Sequence, residues 1–112
     1  MNWHPLQDIQ QIENIKQESQ EIPVLIFKHS TRCPISSTAM NRLQRSWKTE
    51  LDDQVKLYYL DLVAFRSVSN AVAQSFSVEH ESPQVILIKG GDAVYNQSHF
   101  AISTAEIEEN LA

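Results

Sequence analysis

Three short apolar runs constrain the fold of this chain more than any other feature. They read "VLIFKH" from Val24, "VKLYYLD" from Val55 and "QVILIK" from Gln84, and all are rich in strand-forming residues. The segments between them have apolar residues at helical spacing. Because buried strands need helices on both faces, this alternation predicts an α/β fold with a central sheet.

Two helices are predicted around the first strand. The later one begins after Cys33 and has apolar residues at every fourth position from Ile35 to Trp47. Because it joins two strands, those strands should be parallel, with a right-handed crossover. The earlier helix, which ends before Pro23, has an apolar side formed by Leu6, Ile9, Ile12 and Ile15.

The C-terminal half is predicted to contain a short helix, a hairpin and a final helix. Ser67 and Ser69 are candidate caps for a helix over "NAVAQSF". Gly90-Gly91 predicts a tight hairpin into a fourth strand, "AVYNQS", because glycine tolerates positive φ. Ser103 and Glu106 fit a capping box at the start of the last helix.

The predicted order of elements is therefore α-β-α-β-α-β-β-α. We expect residues 1–112 to form one domain, a central four-stranded mixed sheet flanked by helices.

Composition and charge exclude several classes of protein. The 112 residues have a formal charge of −5, so a nucleic-acid partner is not expected. The start, "MNWHPLQDIQ", does not resemble a secretory signal, and no apolar run is long enough to cross a membrane. The single cysteine has no partner for an internal disulfide, so the predicted location is the cytoplasm, where a thiol stays reduced.

That cysteine, Cys33, is the leading candidate for a catalytic residue. It follows the first strand and precedes Pro34, a residue suited to the first position of a helix. The free N–H groups of Ile35 and Ser36 and the positive end of the helix dipole should stabilise a thiolate, the nucleophilic form. Arg32 adds a positive charge, and the Ser36 hydroxyl is a candidate hydrogen-bond donor to the sulfur.

A lone cysteine more often packs as a small hydrophobic residue. Here its neighbours form a polar loop at a helix start, which favours a reactive thiol.

Ser82-Pro83, immediately before the third strand, is a second candidate for the functional site. In this order of elements the proline resembles the cis proline that faces the active-site cysteine in thioredoxin-like folds, and this resemblance implies a cis bond here. The alternative is a trans bond at a strand edge.

These residues give the chain a resemblance to a known family. The segments "FKHSTRCPISS" and "SNAVAQSFSVEHESPQVILIKGG" resemble the monothiol bacilliredoxins of the thioredoxin superfamily, with Arg32 where that family usually has Thr. The likeness extends from about Leu6 to about Leu111 and implies a thioredoxin-like fold.

The resemblance also implies an activity. It implies an oxidoreductase that removes bacillithiol from mixed disulfides with proteins. Bacillithiol is a small thiol that some bacteria use in place of glutathione. Bacillithiol would be the co-substrate, and bacillithiol-modified client proteins and the bacillithiol disulfide reductase system would be the partners. Since Ser36 cannot form a disulfide, an external thiol must regenerate Cys33. By similarity, Ser82 and Pro83 would bind the substrate, and Thr31 would line the approach with Arg32, Pro34 and Ile35.

Two other functions stay open at the level of sequence. One is a redox sensor or adaptor that is modified at Cys33 and read by a partner. The other is an iron–sulfur cluster carrier, which Pro34-Ile35 disfavours because relatives that bind clusters have Gly-Phe there.

His29 is a weak candidate for a catalytic base, since a residue at a strand end can point away from the sulfur. No His, Cys or carboxylate spacing predicts a metal site.

Overall fold

The computed structural model describes residues 1–112 and contains five strands and four helices. The strands are β1 (Trp3–Pro5), β2 (Val24–His29), β3 (Lys56–Asp61), β4 (Gln84–Lys89) and β5 (Asp92–Ser98). The helices are α1 (Gln10–Glu18), α2 (Pro34–Ser46), α3 (Arg66–Phe76) and α4 (Thr104–Leu111), with short 3₁₀ segments at Thr49–Asp53 and His99–Ala101. None of the helices is both long enough and apolar enough to cross a membrane.

The strands form one mixed sheet in the order β1-β3-β2-β4-β5. β2 is parallel to β3 and antiparallel to β4, which in turn forms a hairpin with β5. The predicted parallel pair and hairpin are therefore confirmed. The sheet has five strands where four were predicted, because β1 is three residues long and too short to show a strand pattern in sequence.

The buried side chains of β2 alternate between the two faces of the sheet. Val24 and Ile26 pack in a cluster with residues of α1 and α3. Leu25 and Phe27 pack in a second cluster, with residues of α2 and α4. All six residues of β2 are buried, which places this strand at the centre of the protein.

Three local predictions differ from the structure. α1 begins only at Gln10, and Ile9 is 53% exposed, because the chain before the helix leads from β1. Ser67 and Ser69 lie within α3 and do not cap it; its N-cap position is Phe65. At α4, Ser103 does accept a hydrogen bond from the Glu106 N–H (3.4 Å). The Glu106 carboxylate does not complete the capping box, because it accepts a hydrogen bond from Tyr95 Oη (2.7 Å).

The β4–β5 hairpin turns through Gly90 and Gly91, at φ values of 60° and 84°. The Gly91 N–H also donates to Ser19 Oγ (2.8 Å), which connects the turn to the end of α1. Both φ values lie in the left-handed region, so the positive backbone angles expected from the sequence are confirmed.

We expect Gly91→Ala to lower the free energy of unfolding by about 1–2 kcal/mol, because a Cβ atom is disfavoured at positive φ. Urea denaturation at neutral pH measures this change. Asp92→Ala is the matched control: Asp92 is exposed and begins β5, so its replacement should stay within about 0.5 kcal/mol of the wild type. Equal losses in the two variants would contradict the assignment of the effect to backbone angle.

Candidate active site

Cys33 occupies the N-cap position of α2, with extended backbone angles (φ −108°, ψ 117°). Its N–H donates to the Ser30 carbonyl oxygen (3.1 Å), and its own carbonyl accepts from the Ser37 N–H (3.2 Å). Pro34 follows at the first helical position. The thiol is partly exposed and makes no capping hydrogen bond, so it is accessible at the start of the helix.

The electrostatic setting of Cys33 comes from the first turn of α2. Pro34 has no N–H, and the Ser37 N–H is already bonded to the Cys33 carbonyl. The N–H groups of Ile35 and Ser36 are the ones between them, and they belong to the positive end of the helix dipole. α2 contains no acidic residue to oppose a negative charge. This arrangement favours an anion at its N-terminus.

The Ser36 hydroxyl contacts the end of β2. Ser36 is fully buried, and its Oγ lies 2.6 Å from His29 Nδ1 and accepts a hydrogen bond from the Ser30 N–H (3.0 Å). The expectation that this hydroxyl donates to the Cys33 sulfur is therefore corrected, since its hydrogen bonds are to His29 and Ser30. What remains available at Ser36 for the sulfur is its backbone N–H.

His29 is the last residue of β2, and its buried side chain contacts α2. Its ring lies beside those of Phe27 and Tyr59, with centroids 6.1 and 5.6 Å away. Desolvation by burial lowers the pKa of His29, and the Asp61 carboxylate opposes this shift only in part. The neutral imidazole is bonded to Ser36 through Nδ1, so His29 links β2 to α2. Sequence reasoning missed this pair, because seven positions separate the two residues and no motif marks them.

The Ser82-Pro83 peptide bond is cis, as expected. Lys28 and Gln84 are paired across β2 and β4, so Pro83 lies one position beyond this pair, at the end of the sheet where β2 leads to Cys33. The Pro83 carbonyl accepts a hydrogen bond from the His99 N–H (3.0 Å), which connects the proline to the 3₁₀ segment after β5. The topology thus brings the helix start and the cis proline to one end of the sheet.

Four predicted residues around Cys33 have exposed side chains: Thr31, Arg32, Pro34 and Ile35.

An exposed aromatic residue that the sequence did not predict is Phe100, in the segment after β5, which is 64% exposed. The Phe100 carbonyl accepts a hydrogen bond from Arg42 of α2 (3.4 Å). Nothing in the local sequence distinguishes this phenylalanine from a core residue. No group of three or more His, Cys, Asp or Glu side chains in the protein is placed to hold a metal ion.

The His29–Ser36 contact leads to a stability prediction. Ser36→Ala should lower the free energy of unfolding by about 1–3 kcal/mol, because it leaves His29 Nδ1 and the Ser30 N–H without their buried partner. Ser37→Ala is the control, since Ser37 is exposed on the same turn. Chemical denaturation of both variants measures the difference. A Ser36→Ala protein as stable as Ser37→Ala would mean that the contact contributes nothing.

Comparison with solved structures shows the fold. A proposed oxidoreductase with a thioredoxin fold superimposes with a TM-score of 0.79 at 29% identity, over 96% of this chain and 91% of that one. The thioredoxin Mala s 13 of Malassezia sympodialis gives a TM-score of 0.75 at 13% identity, over 98% and 88%. Fasciola hepatica thioredoxin gives 0.69 at 15% identity, over 96% and 95%. The protein has a thioredoxin-like fold.

Comparison with protein families adds a match at the level of sequence. The family described as monothiol bacilliredoxin BrxC matches residues 4–107, which include Cys33, Ser36 and the cis proline. Family and fold together support a thiol redox function. The chain belongs to the monothiol bacilliredoxin family.

Proposed function

We propose that this protein is a bacilliredoxin-type thiol-disulfide oxidoreductase that removes bacillithiol from mixed disulfides with proteins. The observation that carries the proposal is the position of the only thiol in the chain. Cys33 lies partly exposed at the N-terminus of α2, at the same end of the sheet as cis Pro83. Membership of the bacilliredoxin family supports bacillithiol as the small thiol concerned.

The first step is a thiol–disulfide exchange at Cys33. The Cys33 thiolate attacks the bacillithiol sulfur of the modified client, and a new disulfide forms between Cys33 and bacillithiol. The disulfide of the client breaks, and the client sulfur leaves as a thiolate with the electron pair of that bond. The client is thereby reduced and Cys33 is oxidised. Thiolate stabilisation by the N–H groups of Ile35 and Ser36 would favour the attacking form.

The second step needs a thiol from outside the protein. The chain has one cysteine, and the hydroxyl of Ser36 cannot take part in a disulfide. A second bacillithiol thiolate would attack the bacillithiol sulfur on Cys33, releasing the Cys33 thiolate and forming bacillithiol disulfide. A bacillithiol disulfide reductase system would then return both bacillithiols to the thiol form. We propose the cytoplasm as the location of this reaction, because thiols stay reduced there.

Substrate binding is assigned to the two segments that meet at this end of the sheet. The backbone of Ser82, beside cis Pro83, would hydrogen-bond an extended substrate. The exposed side chains of Thr31, Arg32, Pro34 and Ile35 would line the approach to the sulfur. Ile35 is 46% exposed, and this apolar surface suits contact with a protein client.

Transfer of the adduct tests the proposed function directly. The reduced protein is mixed with a bacillithiol-modified client, and the masses of both proteins are followed with time. We expect the client to lose one bacillithiol, Cys33 to gain it, and added bacillithiol to clear it. Cys33→Ala should leave the client modified.

Other results would support other functions. A client that keeps its adduct while Cys33 is demonstrably reduced would contradict the transfer reaction. A stable adduct on Cys33 that changes partner binding without turnover would support a sensor or adaptor. Visible absorbance after anaerobic reconstitution with iron and sulfide would support a cluster carrier.

Adding a second thiol tests why an external thiol is needed. In Ser36→Cys the new thiol lies one helical turn from Cys33, a spacing compatible with a disulfide. We expect this variant, loaded with bacillithiol at Cys33, to release bacillithiol as a free thiol without added thiol, leaving a Cys33 to position 36 disulfide that is two hydrogens lighter than the fully reduced variant. Asn41→Cys is the control, because Asn41 is exposed on α2 and lies about 12 Å from Cys33 along the helix axis, too far for a disulfide. Retention of the adduct by Ser36→Cys would contradict the explanation that the missing second thiol is what makes an external thiol necessary.

A further inference from the structure

Lys28 is a fully buried lysine at the centre of the sheet. It lies in β2 on the face covered by α3, the face that also holds Val24 and Ile26. Burial lowers the pKa of Lys28 to about 8, so the side chain is still charged at neutral pH. No carboxylate forms an ion pair with it; its Nζ donates to the Ser69 carbonyl oxygen of α3 (3.1 Å) and to His80 Nδ1 (3.2 Å).

Stability alone does not account for a lysine in this position. Removing a charged group from water is costly unless an opposite charge compensates it, and hydrogen bonds to neutral partners compensate only in part. Even a buried ion pair, whose charges do compensate one another, can often be replaced by apolar side chains of similar volume with no loss of stability. We therefore expect a contribution of Lys28 other than stabilisation of the core, and its contacts indicate one.

The contacts of Lys28 point to the loop that precedes cis Pro83. His80 is in the segment between α3 and β4, two residues before Ser82. Its Nδ1 receives the hydrogen bond from Lys28 and lies 3.4 Å from Ser69 Oγ. Since an ammonium group only donates, Nδ1 of His80 must be the acceptor. Lys28 thereby joins α3 to this loop.

The cross-strand neighbour of Lys28 holds the same loop. Gln84 is paired with Lys28 between β4 and β2 and is also fully buried. Its Nε2 donates to the Glu79 carbonyl oxygen (3.0 Å), and its Oε1 accepts from the Glu81 N–H (3.3 Å). Two adjacent buried polar side chains thus bind the segment Glu79–Glu81 from inside the protein.

We propose that Lys28 is a positioning residue, which holds His80 and thereby fixes the loop that presents Ser82 and cis Pro83 to the substrate. This inference rests on the proposed function for the identity of the substrate, while the positioning itself is a property of the free protein. Lys28 lies on the face of the sheet away from α2, so it acts through the loop and does not touch the reacting sulfur.

The charges around His80 make this positioning sensitive to pH. Burial lowers the pKa of His80, the cations Lys28 and Arg66 lower it further, and Glu81 opposes them. The pKa of His80 therefore lies below the ordinary histidine value, and once the pH falls below this lowered pKa, protonation makes Nδ1 a donor, so it no longer accepts from Lys28. Two positive groups then face one another. The loop should therefore be held near neutral pH and released in acid.

Amide hydrogen exchange tests the positioning without any substrate. In Lys28→Met we expect exchange at Glu81, whose N–H donates to Gln84 Oε1, to accelerate about tenfold, while the strands of the sheet keep their protection. The melting temperature should stay the same or rise at pH 7. Any gain in stability over the wild type should shrink as pH rises from about 8 towards 10.5, because Lys28 then loses its charge. Unchanged exchange in the loop would overturn the proposal.

Kinetics with the bacillithiol-modified client provide a second readout. Lys28→Met should raise KM about fivefold and leave alkylation of Cys33 by iodoacetamide unchanged. His80→Leu should behave like Lys28→Met, whereas His80→Asn, which keeps an acceptor near the Nδ1 position, should retain the wild-type KM. The wild-type KM should rise in acid and that of His80→Asn should not.

The two experiments separate the two proposals. If the wild type transfers bacillithiol but Lys28→Met has the same KM and loop exchange, the positioning role fails and the proposed function stands. If the wild type transfers nothing, the proposed function fails, and exchange at Glu81 still decides the role of Lys28. A lower melting temperature with faster exchange throughout the sheet would show general destabilisation and would also overturn the positioning role.

Discussion

Pairing of β2 on both sides is the constraint on which the rest of the structure depends. β2 bonds to β3 along one edge and to β4 along the other, which puts it inside the sheet. Because helices cover both faces there, all of its residues are buried. Its C-terminal end is also where α2 begins and where Pro83 enters β4. The position of Cys33 at this end follows from the strand, since only a short loop separates Cys33 from His29.

The last two residues of β2 connect the sheet to the two parts of the candidate site. Successive strand residues point to opposite faces, so His29 meets Ser36 of α2 while Lys28 meets His80 of the loop before Pro83. One contact joins β2 to the helix that carries the thiol, and the other is proposed to hold the loop before Pro83, to which we assign substrate binding. Both use buried groups whose partners are neutral, which makes each contact sensitive to a change of protonation.

Sequence reasoning predicted most of the fold, because the longer elements have clear periodicity. It missed β1, whose three residues include Pro5. Ile9 fitted the helical spacing but is exposed, since α1 begins one residue later. At the site, the positions of Cys33 and Pro34 were predicted from their local chemistry. The partners of the Ser36 hydroxyl were not, because a hydroxyl bonds to whichever polar group packing brings near it.

The sequence by itself determined the α/β architecture, the helix start at Cys33-Pro34 and the impossibility of a disulfide within the chain, since each depends on local preference or on the number of cysteines. The tertiary structure alone decided which buried polar groups meet. Lys28 and His80 are 52 positions apart, and only the pairing of β2 with β4 and the packing of α3 bring them together. Contacts between distant residues depend on strand register, and no local pattern encodes them.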